Sequence, residues 1–153
     1  MPFHLASTEF FAQMKSRMTN DGMVAVNVYD TSWDGPIVKA ISVTLAVHFG
    51  EVQVLPTQEP PNTLGNLVVV AGDRPLTLAD DALPRPEENL EDPYAHWLAV
   101  QMNHAWDNRF HPETTGAPVL TDDRNPIELW YGAVHVASRA DLIAVFGDDA
   151  LLW

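Results

Sequence analysis

The sequence predicts an α/β layer fold. Three observations carry it: short apolar β-rich runs alternate with segments of helical periodicity, the link between the second and third runs is short and turn-rich, and a helix separates the first two. That helix suggests a parallel, right-handed crossover from the first strand to the second, and the short link permits an antiparallel third.

In chain order, Ser7 to about Met18 reads as a helix, with Phe10, Phe11, Met14 and Met18 at helical spacing, stopped by Asn20-Asp21-Gly22. "MVAVNV" (Met23–Val28) reads as a buried strand and "YDTSWDG" as a loop. Pro36 suits the first turn of a helix reaching about Phe49, which Gly50 ends. "VQVL" (Val52–Leu55) and "NLVVVA" (Asn66–Ala71) are the second and third strands, joined by "PTQEPPNTLG". The Pro- and acid-rich stretch Asp73–Asp92 reads as a surface crossing. Asp92 caps and Pro93 opens a helix to about Trp106, and Asn108–Thr121 is loop. Near the end, Ser138-Arg139-Ala140-Asp141 has the spacing of a capping box, and Gly147 stops a helix at Phe146. The apolar ending of "DDALLW" is expected to dock.

At 153 residues, 46% of them hydrophobic, the chain is expected to be one domain spanning 1–153 with a real core. It contains no cysteine, which excludes disulfides and thiolate metal sites. The formal net charge of −13 argues against nucleic acid, whose phosphates need a basic surface, and is compatible with a cationic small molecule. No run is long enough to span a membrane and no secretory signal pattern opens the chain, so a cytoplasmic location is expected.

Together "PFHLASTEFFAQMKSRMTNDGMVAVNV", "VQVLPT", "NLVVVAGD" and "PVLTDDRNPIE", over residues 2 to about 130, resemble the landmarks that follow the catalytic loop in spermidine synthase-like proteins. The resemblance implies the C-terminal half of a methyltransferase-type Rossmann fold: a mixed sheet in the order 5-7-6, strand 7 antiparallel, with helices on both faces. It implies aminopropyl transfer from decarboxylated S-adenosylmethionine, or methyl transfer from S-adenosylmethionine, to an amine. It also implies that the glycine-rich donor turn, the ribose-binding acid and the catalytic aspartate lie ahead of the matched segment. No Gly-x-Gly pattern occurs in the chain. No catalytic residue and no cofactor are therefore assigned to this chain alone, and an incomplete enzyme is expected. The alternative is a non-catalytic module that associates with itself or a partner. The partner expectation is a homo-oligomer or a donor-half chain, because Met23–Val26 would form an open edge without charge or proline. A cationic amine is the expected small molecule.

The cleft candidates follow from position. Asn27, Tyr29, Asp30 and Trp33 lie at or after the carboxyl end of the first strand, where open α/β sheets bind ligands, although Tyr29 and Trp33 also suit a role covering the sheet edge. Thr57 and Gln58 follow the second strand. The family's usual diamine-binding Gln and Tyr are not matched there, since the loops read Asn27-Val28-Tyr29-Asp30 and Pro56-Thr57-Gln58-Glu59. Asp122 and Asp123 have two readings: they shape the turn before a helix capped by Asn125 and opened by Pro126, or they line a cleft and attract an ammonium group. His104, Asp107 and His111 have helical spacing, but Trp106, Phe110 and Pro112 break up the stretch, so no metal is assigned. No Gly-x-Ser-x-Gly elbow marks a serine nucleophile. Trp97 and Trp106 read as core or interface residues.

Overall fold

A computed structural model describes residues 2–79, 82–89 and 91–147. The elements are α1 (Thr8–Lys15), β1 (Met23–Asp30), α2 (Pro36–Ala46), β2 (Glu51–Pro56), β3 (Gly65–Gly72), α3 (Pro93–Asp107) and α4 (Ile127–Phe146), with short 3₁₀ turns at Phe3–Leu5 and Pro86–Asn89. The strands form one sheet in the order β1-β3-β2. β3 runs antiparallel to both neighbours, pairing Val28 with Leu67 on one side and Val54 with Val69 on the other. β1 and β2 thus run in the same direction with β3 between them. Both ladders among the described residues are antiparallel, as an antiparallel strand between two like-directed ones requires.

Strand alternation sorts the sheet into two unlike faces. Val24, Val28, Val54, Leu67, Val69 and Ala71 are buried on one face. α2 packs across all three strands. It buries Ile37, Val38, Ala40, Ile41, Ser42, Thr44 and Leu45. So many inward residues mark a central helix rather than a surface one, and α1 and α4 pack on it in turn. On the second face Ala25, Asn27 and Asn66 are exposed, and Gln53, Leu55, Val68 and Val70 are half-buried.

Local chemistry explains most element ends. The Ser7 hydroxyl accepts from the Phe10 N–H (3.3 Å), which settles the cap of α1. Asp92 accepts from Tyr94 and Ala95 N–H (2.9 and 3.1 Å) ahead of Pro93. α1 ends at Lys15 and α2 at Ala46, a turn or less before the expected ends at Met18 and Phe49. The capping box expected at Ser138 is not formed, because α4 runs unbroken from Ile127 through it. Nothing between those residues interrupts the helix, and it stops where expected, at Gly147 with φ 80°. The ending "DDALLW" lies outside the described residues.

The two sheet edges differ. The outer edge of β2 is occupied: Val54 and Phe110 exchange both backbone hydrogen bonds (2.9 and 3.0 Å). α4 packs against β1. There the Tyr29 hydroxyl lies 3.4 Å from that of Ser138 on α4. At the other end of β1, Met23 is 47% exposed and Ala25 is exposed.

Candidate functional site

A groove of about 380 Å³ opens on the second face at the end of the sheet where β1 and β2 finish and β3 begins. It is lined by Asn27, Thr57, Gln58, Glu59, Asn66, Trp97 and Gln101. The strands place Asn27 and Asn66 side by side, their amides 3.4 Å apart. The loop after β2 holds Glu59 locally: its carboxylate accepts from the Thr57 hydroxyl and the Gln58 N–H, both at 3.3 Å. The Thr57 N–H and hydroxyl both donate to the Asn66 carbonyl (3.1 and 3.0 Å), tying this loop to β3. α3 supplies the far wall. Trp97 and Gln101 are one helical turn apart, so they share a face. The Trp97 indole is 46% exposed, and the buried Gln101 side-chain oxygen has no hydrogen-bond partner. The groove thus offers a carboxylate, side-chain amides and an open aromatic surface, a set that suits a ligand carrying N–H donors and positive charge.

Three of the sequence-predicted candidates, Asn27, Thr57 and Gln58, meet here. The others do not line the groove. Tyr29 reaches α4, its hydroxyl 3.4 Å from that of Ser138. Asp30 is fully buried. Its carboxylate accepts from the N–H groups of Thr31 (2.7 Å), Ile37 and Val38 (2.8 Å each). It therefore caps α2 from a distance, since the local N-cap is Gly35, which has no side chain to do so. Burial raises the Asp30 pKa above the ordinary carboxylate value despite these donors. Burial also raises the Tyr131 pKa, and the nearby Asp30 charge adds to the rise. Trp33 is an anchor for the β2–β3 connection: its indole donates to the Glu59 carbonyl (3.0 Å) and its ring stacks on Phe110 with centroids 5.8 Å apart.

Asp122 and Asp123 occupy the tip of a tight turn closed by reciprocal backbone bonds between Thr121 and Arg124 (3.2 Å each). Both are exposed, and the Asp122 N–H donates to the Glu9 carboxylate of α1 (3.1 Å). The N-cap position of α4 falls on Pro126, one residue later than the expected Asn125, although the Asn125 side chain accepts from the Ile127 N–H (3.2 Å). The histidines separate: α3 ends at Asp107, His104 meets the edge of Trp33, and the His111 ring nitrogen lies 3.1 Å from the Val52 carbonyl. Among the described residues no group of three His, Asp or Glu side chains is arranged to hold a metal.

Sequence reasoning passed over Glu59, Asn66, Trp97 and Gln101 as groove residues. The spacing of Trp97 and Gln101 on one helix is a readable signal, but which surface α3 faces is set by packing.

No family model matches the chain. A probable polyamine aminopropyl transferase of Bifidobacterium longum is 27% identical over 138 residues, or 84% of this chain. Over most of its length the chain is similar to that aminopropyl transferase. It spans 31% of that relative's length. The crystal structure of a probable spermidine synthase from Corynebacterium glutamicum also aligns, with a TM-score of 0.45 and 19% identity, covering 53% of this chain and 29% of that one. No helix among the described residues is long and apolar enough to cross a membrane.

Proposed function

We propose that this spermidine synthase-like chain forms the amine-acceptor side of an aminopropyltransferase- or methyltransferase-type Rossmann fold, and is catalytically incomplete by itself. On this reading β1, β2 and β3 are strands 5, 6 and 7 of that fold, in the order 5-7-6, and the chain works in the cytoplasm with a donor-binding segment. The groove at the carboxyl ends of β1 and β2 carries the proposal, because α/β sheets of this kind bind ligands beyond those ends. Glu59 would draw in an ammonium group, Trp97 would pack on the ligand's alkyl or cationic part, and Asn27, Asn66 and Gln101 would orient it.

The residues present do not fit the adenosyl donor. The chain has no Gly-x-Gly turn, and the glycines with positive φ, Gly116 and Gly147, follow no strand. No step through the donor is therefore derived. A second reading, a non-catalytic module that associates, is favoured by apolar side chains left open on α3 and α4, among them Tyr94 and Leu129.

Calorimetry on the chain separates the readings. Decarboxylated S-adenosylmethionine and S-adenosylmethionine are expected to give no binding heat. A 1,4-diamine is expected to bind weakly, and Glu59→Gln should abolish that binding. Micromolar affinity for either donor would overturn the assignment of which side is present. No diamine binding would favour the non-catalytic module.

A further inference from the structure

The helix stripe that walls the groove continues past it. Trp97 and Gln101 are followed one turn further along α3 by His104. The chain leaves α3 at Asp107 and pairs Phe110 with Val54, so the helix runs across the second face from the groove toward the middle of β2. Val54 is buried in the core, and strand alternation turns its half-buried neighbour Gln53 to the second face. Three side-chain atoms of this layer are buried without a hydrogen-bond partner: Gln53 Oε1, Gln101 Oε1 and His104 Nε2. The other ring nitrogen fixes the character of the third. The Asn108 side-chain amide donates to the His104 carbonyl (2.9 Å), and the same nitrogen lies 3.4 Å from His104 Nδ1. Nδ1 is then the acceptor, and in the neutral ring the hydrogen sits on Nε2. The layer therefore offers two carbonyl oxygens and one N–H.

We propose that Gln101 and His104, with Gln53 behind them, form an uncharged inner subsite of the groove, and that the ligand is an amino alcohol, its ammonium at Glu59 and its hydroxyl at the subsite. The inference deepens the amine-acceptor reading and rests on it for the Glu59 end. A hydroxyl can accept from His104 Nε2 and donate to a glutamine oxygen at once. An ammonium has no lone pair, so it would set its positive charge against the Nε2 N–H. A carboxylate has no hydrogen to give and would face two carbonyl oxygens. An uncharged amine carries the right groups, but at neutral pH an alkylammonium outnumbers its neutral form by roughly a thousandfold. Polar atoms left buried and unpaired oppose folding. Side chains that carry that cost suit a place where a ligand supplies the missing partners.

Calorimetry of the chain with 4-amino-1-butanol, butylamine and 1,4-diaminobutane tests this. The amino alcohol is expected to bind about tenfold more tightly than butylamine, as a well-made hydrogen-bonded hydroxyl should, and more tightly than the diamine. Gln101→Leu and His104→Phe should each cut the preference over butylamine to about twofold or less. His104→Gln, which keeps an N–H donor, should retain more of it than His104→Phe. Urea denaturation without ligand gives a second readout. Gln101→Leu and His104→Phe should both raise the unfolding midpoint, because each replaces an unpartnered buried atom with carbon. Atoms that served only the fold, for example by holding an internal water, would give the opposite shift. Loss of stability in both variants therefore overturns the inference. So does an amino alcohol bound no better than butylamine, or a preference that survives both variants. In each of these cases, butylamine binding that requires Glu59 leaves the amine-acceptor reading standing. Failure of all three compounds to bind overturns that reading and this inference together.

Discussion

The buried carboxylate of Asp30 sits where the N–H groups of Thr31, Ile37 and Val38 converge. It links the end of β1 to the start of α2, the helix on which the core is built. Gly35 makes this possible. Its backbone, φ −71° and ψ 164°, would suit any residue, but a Cβ there would lie 2.2 Å from the Asp30 carboxyl carbon. Gly35→Ala must therefore push the carboxylate off its donors. Asp30→Ala removes the acceptor outright and leaves buried N–H groups unpaired, at a cost of about 2–4 kcal/mol. We expect Gly35→Ala to cost a similar amount. The double variant should be less destabilised than the sum by about 1–3 kcal/mol, because both changes break the same contact. Urea denaturation of the four proteins measures this, and additive costs would show that the two changes do not act through the same contact. The pH dependence gives a second readout. Because the folded-state pKa is raised, the native state holds this proton more tightly than the unfolded chain does. Stability relative to Asp30→Asn should fall as pH rises from the ordinary carboxylate value through the raised one.

At the scale of elements, the turn carrying Asp122 and Asp123 joins α1 to α4. Its geometry is held by Thr121, Arg124 and Glu9 through backbone groups, not through the aspartate carboxylates. Changing both aspartates to Asn should alter stability by no more than about 0.5 kcal/mol, since Asn is equally at home in a turn and exposed changes are usually small. Diamine binding in the groove should be unchanged. A large loss of binding at an unchanged melting temperature would return these residues to the site. The same comparison shows what is legible in a sequence. Asp92-Pro93 announces its helix because cap and helix are adjacent. The cap of α2 is not legible, since it comes from Asp30 across a loop whose nearest residue is a glycine. Ser138-x-x-Asp141 carries a valid start signal that nothing obeys, because a helix already under way has no orphan N–H for it to satisfy. Half of the groove was readable from strand ends. The other half comes from α3, which sits on the second face through tertiary packing.

At the scale of the whole molecule, no strand among the described residues pairs with the outer edge of β1. The Asn66 carbonyl accepts from Thr57, so Asn66 points toward β2 rather than β1. Antiparallel alternation then turns the Val24, Val26 and Val28 N–H groups toward β3, and those of Met23, Ala25, Asn27 and Tyr29 outward. Ala25 and Asn27 are exposed residues on that edge. If a donor-binding segment supplies the neighbouring strand, as we propose, these amides have no partner until it arrives. Hydrogen exchange of the chain should therefore show Val24 and Val26 protected, and Ala25 and Asn27 exchanging near the rate of an unstructured peptide. Protection of Ala25 and Asn27 that grows with concentration would mean that two copies pair edge to edge. Protection already present in the dilute monomer would mean that the chain covers the edge itself, and β1 would then not be awaiting a strand. Adding the donor-binding segment in trans should protect Ala25 and Asn27 alone among the β1 amides, because they are the ones a new parallel or antiparallel neighbour would engage first.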